Sequence, residues 1–153
     1  MPDAGILLKY VHILAAMVYV AGYIAGAFLQ VWAGRATDWP ARRTLQGAAN
    51  IFNNKILVPA FIGAAVLGLA AAGALRYPIF SGWVLYSLII YAVLLVSGVG
   101  YWAQLGKKID VAIAGSNEAA FVALRDRPAT RYISIIDGVL LLTLTYLMVV
   151  KPS

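Results

Sequence analysis

The chain has 153 residues, 63% of them hydrophobic and only 12% charged, with a net charge of +6 and no cysteine. A water-soluble domain carries about 25% charged residues, so this chain has too few charges to cover a surface that faces water. Disulfides and thiolate metal sites are excluded, and the absence of interleaved aromatic and basic residues speaks against a nucleic-acid partner.

Four apolar runs follow one another along the chain, at about 5–33, 56–75, 79–105 and 133–150. A helix needs roughly 20 apolar residues to cross a bilayer, and in lipid only a helix satisfies every backbone group within its own segment. The expected fold is therefore all-α: an integral membrane four-helix bundle forming one domain over residues 1–153. The first run follows Asp3 and has neither a basic cluster ahead of it nor a clear cleavage site, so it reads as a retained span.

The first run contains the only histidine, His12, about 10 Å from its outer end at 1.5 Å per residue. Tyr19 follows seven residues later and shares its face, and Gly22 and Gly26 form a small-xxx-small motif for close helix packing. In the first loop, "TDWPARRTLQ" offers Asp38 as the cap of a helix with Pro40 in its first turn. The second run opens with Lys55 and Pro59, where the missing N–H of proline predicts a kink. It then presents Ala60, Ala64, Gly68 and Ala72 as a small-residue stripe, which suits either an internal bundle or a homodimer face.

"RYP" (Arg76–Pro78) is too short to hold structure, so runs two and three form a hairpin. In the third loop, Ile109, Ile113, Phe121 and Leu124 recur among charges and predict an amphipathic helix at the interface. The fourth run carries Asp137 near its start, at a depth similar to that of Lys55, and the cost of an unpaired charge in lipid makes the two an expected polar pair.

Loops one and three hold nine of the basic residues and the opposite side three, Lys9, Arg76 and Lys151. By the positive-inside rule both termini lie outside, in the bacterial inner membrane.

"K-x-x-H" at Lys9 and His12, Tyr19, and Ala21–Gly22 resemble the first helix of the HemJ family of membrane protoporphyrinogen oxidases, distant relatives of the CopD family. "VPAFIGAAVLG" (Val58–Gly68) is similar to the second helix of that family. The ending "LMVVKP" resembles an uncharacterised family of predicted bacterial integral membrane proteins, a domain-of-unknown-function group. The HemJ resemblance implies haem b, with His12 as candidate axial ligand to the iron and Tyr19 and Tyr86 as candidate cofactor-binding residues. The family's third-helix lysine has no counterpart here, since "VLYS" follows Trp83, and Phe28 stands where that family has a basic residue.

His12 thus has three readings: a haem ligand, a packing residue bonded to a tyrosine or a carbonyl, and a proton-relay group. Copper is poorly served by one histidine with only Met17 nearby. Two functions follow: an accessory or scaffold subunit of a membrane complex, with no catalytic residues, or a haem- or porphyrin-binding redox protein. The partners are the bilayer and either other membrane subunits or a second copy.

Overall fold

The structure, a computed structural model, describes residues 3–80 and 82–151. It is 89% helical without strands among those residues. The helices are α1 (Ala4–Arg35), α2 (Trp39–Phe52), α3 (Val58–Ala74), α4 (Gly82–Ser97), α5 (Ala103–Ala114), α6 (Glu118–Arg125) and α7 (Pro128–Val150). Four continuous helical stretches are long and apolar enough to cross a membrane: Ala4–Arg35, Trp39–Ala74, Gly82–Ala114 and Pro128–Val150.

These stretches run past the apolar runs, because polar residues that favour helices carry the backbone on beyond the lipid-suited segment. The expected first-loop helix is the start of the second stretch. Asp38 caps it as expected, its Oδ1 accepting from Ala41 N–H at 2.7 Å.

Within α2 and α3 a π turn, Asn53–Leu57, joins the two helices. It lies one turn before Pro59, whose ring removes the donor that the Lys55 carbonyl would use. Widening the ladder absorbs that loss, so the predicted kink takes the form of a π turn. A second π turn, Gly98–Trp102, joins α4 to α5, and no proline accompanies it.

The chain forms two compact units, dividing between Ile79 and Phe80. In the first, α1 packs on α3 as an antiparallel pair. The residues of α1 at alternating three- and four-residue steps (Gly5, Leu8, His12, Ala15, Tyr19, Gly22, Gly26, Leu29, Ala33) are all buried or half-buried. A repeat of 3.5 residues keeps one narrow seam against a partner helix. That partner seam is in register: Gly5 meets Leu75, His12 meets Gly68, Tyr19 meets Phe61. Each step of seven up α1 is a step of seven down α3. Gly5 admits this approach because a methyl there would stand 2.8 Å from Leu75 Cδ2.

The second unit repeats the construction with α4 and α7. Lys151 Nζ lies 5.7 Å from the Trp83 ring centroid, and fourteen residues inward on each helix Ser97 meets Asp137. The third-loop apolar residues fall on two helices rather than one. Ile109 lies on α5 and Phe121 and Leu124 on α6, all buried, and α5 packs on α6. Asn117 caps α6, accepting from Ala120 N–H at 2.9 Å. Outward-facing side chains are largely apolar: Met17, Val96 and Leu142 are 63%, 71% and 73% exposed. Such a surface is solvated by lipid chains, not by water.

Candidate functional site

Two titratable side chains stand inside the seams, His12 in the first unit and Asp137 in the second. His12 is carried on α1, turned toward α3 by its seam position. Its Nδ1 lies 2.7 Å from the Ala64 carbonyl oxygen. A carbonyl only accepts, so Nδ1 is the nitrogen that donates in this bond.

The ring rests on Gly68. A Cβ at that position would stand 2.8 Å from His12 Cε1 and 3.0 Å from Nδ1. Glycine is what lets the imidazole sit directly on the α3 backbone. Two turns further along α1, Tyr19 is buried, and its ring packs against Phe61 at 5.1 Å between centroids, tilted by 48°. The shared face of His12 and Tyr19 is thus present, and of the three His12 readings the cross-helix carbonyl bond is the contact the fold makes. Tyr86, the other candidate, is 60% exposed on α4 in the second unit.

Asp137 is 5% exposed on α7. Ser97 Oγ–H donates to its Oδ2 at 2.8 Å, and Trp102 Nε1–H donates to the same oxygen at 2.6 Å. Ser97 ends α4 and Trp102 ends the following π turn, so the widened turn brings two donors five residues apart onto one carboxyl oxygen. Alongside, Tyr101 and Thr130 hydroxyls bond at 2.6 Å and tie the π turn to the start of α7. The α7 helix begins at Pro128, so Asp137 lies nine residues inside it, deeper than its place in the apolar run suggests. Lys55 is an exposed residue of the first π turn.

Sequence reasoning missed Ser97, Trp102 and the particular role of Gly68. The seven-residue spacing from Tyr19 to His12, read against Phe61 and Gly68, was the available signal for the last. Chemically, the arrangement orients one imidazole and one carboxyl group by uncharged donors and acceptors, and the described residues contain no cluster of three or more metal-ligating acids, histidines or cysteines.

Residues 6–152 match the family described as "Predicted integral membrane protein (DUF2269)". The chain belongs to that family. Membership agrees with the four membrane-length helices and makes the lipid bilayer the partner of their exposed apolar faces. No curated protein and no solved structure matches the chain.

Proposed function

We propose that this member of the family is a non-enzymatic membrane module, an accessory or scaffold subunit of a larger complex in the bacterial cytoplasmic membrane. The observation that carries the reading is the seat of His12. Its ring lies on Gly68 and bonds Ala64, which spends the only imidazole of the chain on joining two helices. Such a bond contributes about 0.6 kcal/mol on average in a membrane protein, a packing role. The positive-inside bias adds the orientation, with both termini outside, and other membrane subunits or a second copy are the partners this role requires.

The alternative is a haem b- or porphyrin-binding redox protein of the HemJ type. One observation favours it: the Nδ1–H bond to a carbonyl leaves Nε2 as the basic nitrogen, the arrangement metal-ligating histidines use. Against it stands α3, which flanks the Cε1 edge of the ring at Gly68. A group held at Nε2 would have to fit beside that helix. Tyr19 is already packed on Phe61. The module reading therefore ranks first.

Absorbance of the membrane-purified protein separates the two. A module has no Soret band, and in mild detergent it runs in an assembly heavier than its own monomer. A Soret band that disappears in His12→Ala, with the helices still inserted, overturns the module reading in favour of haem.

A further inference from the structure

At the end of the second unit where Lys107, Lys108, Arg125, Arg127 and Arg131 collect, the surface is indented. A recess of about 80 Å³ is lined by Gly100, Tyr101, Gln104, Leu105, Lys108 and Arg127. We infer that this recess binds the phosphate of an anionic lipid headgroup.

The charges come first. Lys108 and Arg127 are exposed, and neither has an acidic partner among the described residues. The neighbouring acid, Asp126, leans instead on Arg125, at 3.9 Å. Two unpaired cations converging on one hollow attract a single anion. The Arg127 guanidinium offers a planar fork that matches two phosphate oxygens, and the Lys108 ammonium adds a compact charge.

The frame is firm. The hollow is built on the π turn, where Tyr101 is tied to Thr130 at 2.6 Å, and its floor is Leu105, 6% exposed. Gly100 leaves an open backbone, since a Cβ there would meet nothing within 4 Å.

The surroundings select a lipid over free phosphate. Val96, Gly100, Gln104 and Lys108 follow at four-residue steps and are all exposed. Val96, 71% exposed, lies at the apolar end of that line and Lys108 at the charged end. An acyl chain along the valine end and a phosphate at the lysine end match this polarity. Basic pockets on membrane helices at the interface are suited to anionic headgroups. A zwitterionic choline headgroup brings its own cation toward Lys108 and Arg127 and is disfavoured.

The test uses the whole purified chain, stripped of lipid in detergent and equilibrated with phosphatidylglycerol or phosphatidylcholine, with bound lipid counted by native mass spectrometry. Phosphatidylglycerol should be retained in preference to phosphatidylcholine. The Lys108→Ala/Arg127→Ala variant should hold it on the order of tenfold more weakly, at about a factor of several per basic residue. The Lys107→Ala/Arg131→Ala variant loses the same charge at the same end but outside the recess, and should bind as the wild type does. Circular dichroism reports that both variants stay helical. Equal loss in both variants, or no loss in the first, overturns the inference. Displacement of the lipid by inorganic phosphate at equal concentration also overturns it, by making the recess a free-phosphate site.

Discussion

The imidazole of His12 and the backbone of Gly68 occupy what would otherwise be one side chain's space: a Cβ on residue 68 would stand 2.8 Å from Cε1 of the ring. Ala64, one turn away on the same helix, supplies the carbonyl that accepts from Nδ1 at 2.7 Å. At this level the seam of the first unit is therefore built from a polar ring and a missing side chain. In lipid this is a sound construction. Apolar burial drives little association there, so close backbone approach and an interhelical hydrogen bond carry the specificity.

Gly68→Ala should consequently destabilise the α1–α3 pair. The added methyl must push the ring away from Ala64, at a cost of about 1–3 kcal/mol for overpacking. His12→Ala alone removes one bond, worth about 0.6 kcal/mol, together with the ring's packing. The combination His12→Ala/Gly68→Ala should be more stable than the two losses added together, because the methyl then enters the space the ring has left. Denaturant titration of the protein in detergent measures all three. Simple additivity would show that ring and glycine are not in contact.

The carboxyl group of Asp137 poses the complementary case. Asp137→Leu leaves Trp102 Nε1–H and Ser97 Oγ–H without their acceptor. An orphaned buried donor costs about 1–3 kcal/mol. Asp137→Asn keeps an acceptor oxygen and should lose less. Trp102→Phe in the Asp137→Leu background should restore part of the loss by removing one orphan. Thermal unfolding of the three variants checks the order, and an Asn variant as unstable as Leu would show that the hydrogen bonds are not what holds this seam.

Much of this fold was legible. Run length fixed four helices, since nothing else of that length and apolarity survives in lipid, and Asp38 announced the start of α2. Pro59 announced a distortion near Lys55. The π turn at Gly98–Trp102 was not legible: no proline marks it, and its effect appears only when Ser97 and Trp102 are seen meeting Asp137. Trp102 reads in sequence as one more interfacial aromatic. Helix ends and apolar-run ends differ, because Lys107 and Lys108 end an apolar run without ending a helix. His12 and Tyr19 could be placed on one face from their spacing, but only the facing helix shows why residue 68 is glycine.

The orientation in the membrane is the last prediction, and it rests on charge alone. Nine basic residues lie in the first and third loops and three on the other side. Lys and Arg near span ends resist translocation, so the richer side stays in the cytoplasm. A fluorescent reporter that matures only in the cytoplasm should be dark when fused to either terminus and bright when inserted at Gly115, in the turn after α5. A phosphatase that works only outside should show the reverse pattern. The recess lined by Lys108 and Arg127 would then face the cytoplasmic leaflet, whose anionic lipids are the ones it is charged to hold. Fluorescence at either terminus would invert the protein, and with it the leaflet from which that recess draws its lipid.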